Sequence, residues 1–151
     1  MIVGVISDTH GLLRPEALTA LAQAEHILHA GDVGNIEILA QLGEIAPVTA
    51  IRGNVDTFGP CAELPATEAV ELAGRLFYMV HSIADLNIAP AKAGFAAVIF
   101  GHSHHPKFDT RNGVLYLNPG SAGPRRFNLP VTVALIRMNA GSLHPRIVPI
   151  L

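Results

Sequence analysis

The chain is poor in cysteine, in charge and in long apolar runs, and each shortage removes a class of explanation. Cys61 is the only cysteine among 151 residues, so neither an internal disulfide nor a paired-cysteine metal or redox motif can form. A reducing, cytoplasmic setting is the expectation. Only 15% of residues are charged and the net charge is −2; there is no overall basic field to gather nucleic acid, and no general nucleic-acid affinity is expected. No apolar run approaches the roughly 20 residues of a membrane helix, and Met1 to Asp8 carries no basic leader, so no membrane partner is expected. No repeat, linker or shift of composition divides the sequence. One domain over 1–151 is therefore expected, large enough for a single core.

What is present is a series of short apolar runs, each closed by polar residues. Ile2 to Ile6 reads as a strand covered on both faces, ending in Ser7 Asp8 Thr9 His10. Pro15 to Ala24 has helical spacing, with Pro15 suited to a first turn. His26 to Ala30 is a second strand, closing on Gly31 Asp32, and a helix follows from about Asn35, a plausible N-cap, to Glu44. Pro47 to Ile51 is a third strand, closing on Gly53 Asn54. This alternation implies βαβ units and a parallel sheet.

The second half reads differently. Glu68 to Leu72 and Arg75 to Val80 form a hairpin about Ala73 Gly74, the second strand ending at His81. Ile83 to Gly94 is expected to be helical in part, with Pro90 at an end or a kink. Ala96 to Phe100 leads into Gly101 His102 Ser103 His104. Lys107 to Thr110 and Val114 to Leu117 flank Asn112 Gly113, the strongest hairpin signal in the chain, and Val131 to Met138 pairs with Leu143 to Ile150 about Asn139 to Ser142. This half is expected to be mostly antiparallel.

Asp8, His10, Asp32, Asn54, His81, His102 and His104 all follow the C-terminal ends of predicted strands, the edge where open α/β sheets bind ligands. Each has an ordinary reading alone: Asp8 and Asp32 as helix caps, Asn54 as a turn residue, His81 as a satisfied core histidine, His102 and His104 as a chance pair in a loop. If the last strand extends far enough, the two histidines share a face. Together, seven nitrogen and oxygen ligands exceed what one zinc takes. They suit two ions about 3.5–4 Å apart sharing a carboxylate. Gly31 and Gly53 precede two of the ligands and permit tight turns there. His26, His29, His105 and His144 are read as structural or solvent-facing.

Asp8 Thr9 His10, Gly31 Asp32, Gly53 Asn54 Val55 Asp56, His81 and Gly101 His102 Ser103 His104 resemble, in order, the motif blocks of the calcineurin-like metallophosphoesterases. Asn118 Pro119 Gly120 Ser121 with Pro124 Arg125 is similar to the small prokaryotic YfcE-type phosphodiesterase branch. The resemblance implies an α/β fold, a four-layer α/β/β/α sandwich of two mixed sheets. It implies that Asp8, His10 and His104 hold one metal and Asn54, His81 and His102 the other, with Asp32 bridging. The pair of histidines then straddles two ions. Two positions depart from the pattern: Val55 stands where many members have a histidine near the leaving group, and Ser82 where glycine is usual.

The expected activity is hydrolysis of a small phosphate ester by attack of a metal-bound hydroxide, with Asp32 and Asn54 as catalytic residues. Without an acid at position 55, diesters or activated esters are favoured over alkyl monoesters. Two divalent ions are implied, manganese from the resemblance, while the mixed imidazole and carboxylate ligands also suit Fe, Co, Ni or Zn. Arg125 is a candidate phosphate contact. A homo-oligomer is admitted. The competing reading is a metal-binding scaffold of the same fold, catalytically weak, acting as a protein-interaction module.

Overall fold

A computed structural model describes all 151 residues as two five-stranded sheets packed face to face. The first sheet has the order β10-β9-β1-β2-β3, formed by β1 (Ile2–Ile6), β2 (His26–His29), β3 (Val48–Ala50), β9 (Thr132–Asn139) and β10 (Ser142–Pro149). The second has the order β4-β5-β6-β8-β7, formed by β4 (Thr67–Leu72), β5 (Arg75–Val80), β6 (Phe95–Ile99), β7 (Lys107–Arg111) and β8 (Val114–Asn118).

Alternation along the strands builds three apolar layers. Val3, Val5, Leu28, Ala134 and Ile136 of the first sheet meet Phe77, Met79, Ile99, Leu115 and Leu117 of the second in the central core. The opposite face of the first sheet offers Ile6, Ile27 and Val133 to two helices, α1 (Pro15–Ala20) and α2 (Glu37–Gly43), which bury Ala17, Ile38 and Leu42. Both helices are shorter than their periodicity predicts. The side chain of Asn35 still accepts the N–H of Glu37 at 3.0 Å, from two residues before the start of α2.

On the outer face of the second sheet, Val80, Val98 and Val114 pack with Tyr78, Leu86 and Tyr116. No α-helix covers them. The helix expected within Ile83 to Gly94 is reduced to one 3-10 turn, Ile83–Asp85, because only a few residues separate Ser82 from Pro90, which ends a helix and keeps its predecessor out of the α region. The α/β class and the two mixed sheets stand as expected, with this fourth layer made of turn and coil.

That same segment crosses over between β5 and β6, which are parallel, as are β6 and β8. The middle of the second sheet is thus parallel, and antiparallel pairing is confined to its edge strands. Each hairpin turns on two residues with positive φ, Ala73-Gly74, Asn112-Gly113 and Ala140-Gly141, the conformation that matches strand twist.

Parallel register aligns the strand ends. Ile6 pairs with His29 and His29 with Ala50; Met79 pairs with Ile99 and Ile99 with Leu117. The segments after β1, β2, β3, β5 and β6 consequently emerge on one edge of the sandwich. Gly101 N–H to the His81 carbonyl at 2.9 Å, and Asp8 N–H to the Gly31 carbonyl at 3.0 Å, tie them together there.

Candidate metal centre

Side chains from both sheets converge at this edge in two groups. In the first, ligating atoms of Asp8, His10 and His104 lie within 4.8 Å of one another; in the second, those of Asp32, His81 and His102 do so. Asn54 belongs with the second group, its Oδ1 lying 3.1 Å from His81 Nε2 and 3.1 Å from His102 Nδ1. Asp32 faces both: its Oδ2 is 3.5 Å from His10 Nε2 and 3.2 Å from His81 Nε2. All seven side chains predicted from strand ends are brought together.

The backbone is unusual at these positions. Nine non-glycine residues have positive φ, and five of them are Asp8, His10, Asp32, His102 and His104. Each left-handed residue costs about 1 kcal/mol or more, which the surrounding loops must hold. This geometry corrects one premise of the sequence reading. β6 ends at Ile99, so His102 and His104 do not alternate as strand residues; they lie in a left-handed loop that sends His102 toward Asn54 and His104 toward Asp8. Gly31 and Gly53 serve close approach as well as turning. Gly31 has φ +103° and a Cβ there would lie 2.7 Å from His81 Nδ1, while a Cβ on Gly53 would fall on the backbone and carboxylate of Asp32.

Each carboxylate is anchored by one oxygen and presents the other. Asp8 Oδ2 accepts the Ser7 hydroxyl at 2.7 Å and the His102 N–H at 3.1 Å, while Oδ1 points to the histidines, 3.4 Å from His104 Nε2. Asp32 Oδ1 accepts the Val55 N–H at 3.0 Å and leaves Oδ2 inward. Burial opposes ionisation of Asp8, but His10, His104 and the Ser7 hydroxyl outweigh it and hold the carboxyl below the usual range. Asp32 behaves likewise: burial raises its pKa, and His81 and the Val55 N–H bring it below normal. His81 is pushed down by burial but ends above its ordinary value because of Asp32 and the Ala30 carbonyl.

These atoms fit a cation. Asp8 Oδ1 and His10 Nε2, 3.7 Å apart, are buried and have no hydrogen-bond partner, an arrangement costly for an apolar or hydrated interior but natural around a metal. His81 makes the same point. A carbonyl only accepts, so Nδ1–H of His81 donates to Ala30 O at 2.7 Å. The neutral ring then aims a lone pair from Nε2 at two other lone-pair carriers, Asn54 Oδ1 and Asp32 Oδ2. Only a positive charge among them, a proton or a metal ion, reconciles the three.

Several residues outside the seven ligands hold this geometry, in roles that the motifs containing them do not announce. Asp56, 3% exposed, accepts the N–H groups of Val33, Gly34 and Gly53 at 3.1, 3.0 and 2.8 Å, joining the Asp32 loop to the Asn54 loop. Its signal was a carboxylate two residues after Asn54. Asn118 donates to the Gly101 carbonyl and the Ser103 hydroxyl, and Ser121 to the Asp8 carbonyl, so the turn after β8 braces both histidine and aspartate loops. His29, read as structural, is fully buried, takes the Gly31 N–H on Nδ1 and so donates Nε2–H to Thr9 Oγ1 at 3.0 Å. His26 meets Thr49 at 2.8 Å, and His105 and His144 are exposed.

Arg125 lies on an exposed segment and makes no hydrogen bond or ion pair. It does not line the cavity of about 530 Å³ that opens beside Asn54, His81 and His102; Arg52 does. No helix is long and apolar enough to cross a membrane.

Residues 1–141 match the family model of the calcineurin-like phosphoesterase superfamily domain. A probable metallophosphoesterase of Methanothermobacter thermautotrophicus is 32% identical over 161 aligned residues, taking in 98% of this chain and 92% of that protein. Among solved structures, an archaeal phosphodiesterase is similar with a TM-score of 0.80 at 22% identity over 98% of this chain and 100% of that one. The E. coli phosphoesterase Yfce has a TM-score of 0.69 at 22% identity, covering 100% of both chains. Vps29 of Entamoeba histolytica, complexed with zinc, has a TM-score of 0.74 at 22% identity over 100% of both chains. These three likenesses are of fold.

Proposed function

Because the chain belongs to the calcineurin-like phosphoesterase superfamily, we propose that it is a phosphodiesterase working with two divalent ions. Asp8, His10 and His104 would hold one ion and Asn54, His81 and His102 the other, with Asp32 facing both groups. The observation that carries this reading is the convergence of lone pairs from His81 Nε2, Asn54 Oδ1 and Asp32 Oδ2 next to a second buried group with unpartnered ligand atoms. Manganese is the proposed metal; the only thiol, Cys61, is buried in the helix-side core and belongs to neither ligand group, so a thiolate-preferring ion has no advantage.

Bound divalent ions would supply Lewis acidity toward phosphoryl oxygens and make water more acidic. The protein's own work is positional. Ser7 and the His102 N–H fix Asp8, the Val55 N–H fixes Asp32, and Asn54 keeps its amide nitrogen without a protein partner, available to donate to a phosphoryl oxygen. In the net reaction the water oxygen bonds to phosphorus, the bond from phosphorus to one alcohol oxygen breaks, and that alcohol leaves with a proton. Val55, 38% exposed beside Asn54, has no proton to give. This favours diesters and activated esters, whose leaving groups need little protonation.

The likeness to Vps29 supports a second reading, a scaffold of the same fold. Completeness of the seven side chains favours hydrolysis over it. The test is turnover of bis(4-nitrophenyl) phosphate and 4-nitrophenyl phosphate by the manganese-loaded protein, with Asp32→Ala alongside. Faster diester turnover, lost in Asp32→Ala, is expected; wild-type turnover in that variant, or none in either protein, overturns the proposal.

A further inference from the structure

The cavity of about 530 Å³ beside the metal edge is one-sided: among the candidate ligands it touches Asn54, His81 and His102, and none of the Asp8 group. Its remaining polar walls come from Arg52, Thr67, Tyr78, Ser82, Asp85 and Asn87. Ser82 and Asp85 bracket the 3-10 turn that follows His81, so the segment that fails to form a helix becomes the wall of this cavity.

The wall chemistry narrows what fits. Arg52 and Asp85 are its only side chains of fixed charge, one of each sign, and no lysine is present. A second phosphate or a polyphosphate arm would meet Asp85 without adequate neutralisation. The side chains of Tyr78, Ser82, Asp85 and Asn87 make no hydrogen bond within the protein, whereas Arg52 is pinned through Nη1 to the Leu64 carbonyl at 2.7 Å. Four unengaged polar groups thus sit against one space, together with apolar surface from Ala66, Tyr78 and Val80. The Tyr78 ring is held edge-on to Phe95 at 5.3 Å between centroids. The volume falls within the roughly 300–1,000 Å³ of small-molecule sites, room for an alcohol with a ring system and hydroxyls.

We propose that this cavity receives the uncharged, nucleoside-type arm of the diester, the arm that stays on phosphorus, with Asp85 accepting hydrogen bonds from its hydroxyls and Arg52 donating to a phosphoryl oxygen. The assignment rests on the phosphodiesterase reading and adds to it the class of substrate. Asp85 is a specificity residue: it meets the retained arm and not the bond that breaks.

Two measurements test it. The first compares thymidine 5′-(4-nitrophenyl) phosphate with bis(4-nitrophenyl) phosphate, which share a leaving group and differ in the retained arm. In Asp85→Leu the ratio of kcat/KM for the thymidine ester to that for the other ester falls about tenfold, as expected for one lost bond to a charged group. The fall comes through KM, and Asp85→Asn recovers part of it. The second follows amide resonances of the metal-free protein as thymidine is added. Shifts confined to Thr67, Ser82, Asp85 and Asn87, and weakened in Asp85→Leu, are expected. Unmoved resonances, or an unchanged ratio in Asp85→Leu while both esters are hydrolysed, overturn the cavity assignment and leave the phosphodiesterase reading intact. If neither ester is hydrolysed but thymidine shifts these residues, the activity reading fails and the cavity stands only as a nucleoside-binding site, not as the seat of a diester arm.

Discussion

The Nδ1–H of His81 donates to the carbonyl of Ala30 at 2.7 Å. Ala30 directly follows β2 in the first sheet and His81 directly follows β5 in the second, so this bond spans the sandwich and fixes which ring nitrogen faces Asp32 and Asn54. A ring held by Nδ1 can offer Nε2 either a proton or a metal ion, and the two compete.

That competition is measurable. Burial lowers the pKa of His81, but Asp32 and the Ala30 carbonyl outweigh it and raise the pKa above the ordinary imidazole value, so the metal-free ring holds its proton to higher pH than a free imidazole does. Metal binding at pH 6.5 is expected to displace a proton from this ring and to be weaker than at pH 9. Calorimetric titrations in buffers of different ionisation enthalpy count the protons, and His81→Gln is expected to lower that count at pH 6.5 and to narrow the difference between the two pH values.

Asp56 touches no candidate ligand atom, yet it holds three N–H groups from the Asp32 and Asn54 loops. Asp56→Ala leaves these donors without acceptors, at a cost of about 2–4 kcal/mol, read as a lower urea midpoint. Because both loops lose their tie, manganese affinity is expected to fall about tenfold as well.

Val55 is 38% exposed directly after Asn54. Val55→His would place a proton donor where a departing alkoxide needs one. The ratio of kcat/KM for an alkyl or phenyl monoester to that for the nitrophenyl diester is expected to rise at least about tenfold, with a new descending limb at alkaline pH. An unchanged ratio would mean that the position does not face the leaving group.

Much of this site was legible in the sequence because two simple signals coincide. Apolar runs such as Ile2 to Ile6 and Ala96 to Ile99 announce strands, and the residues just after them, from Asp8 to His104, are ligand types. Parallel register then does the gathering, which needs no further information. What the sequence could not disclose lies in the loops. The left-handed backbone at Asp8, His10, Asp32, His102 and His104 has no local signature, since it is imposed by contacts such as His102 N–H to Asp8 Oδ2 from the opposite sheet. Arg125 drew attention through its neighbours in sequence, while Arg52 reaches the cavity through position alone. The parallel middle of the second sheet was hidden for a related reason: the hairpin signals at Ala73-Gly74 and Asn112-Gly113 mark only the antiparallel edge pairs, and nothing local shows that Ile83 to Gly94 carries the chain across to a parallel neighbour.

His29 supplies a separate pH effect on stability. Burial lowers its pKa from 6.5 to about 4, with Asp8 pulling weakly the other way. The folded protein keeps this ring neutral while the unfolded chain binds a proton. Stability is therefore full above pH 6.5, declines as pH falls from 6.5 toward about 4, and levels below, for a total near 3 kcal/mol. His29→Gln should lower stability at pH 7 but show a shallower decline by pH 4.5, seen in urea midpoints of both proteins at the two pH values.

The two-ion phosphodiesterase is tested most directly by titrating the metal-free protein with manganese while recording bound ions per chain and turnover of bis(4-nitrophenyl) phosphate in the same samples. Turnover that climbs as a second ion binds, with saturation at two ions per chain, is the predicted result. Full turnover at one ion per chain, or two bound ions with no turnover, would contradict it.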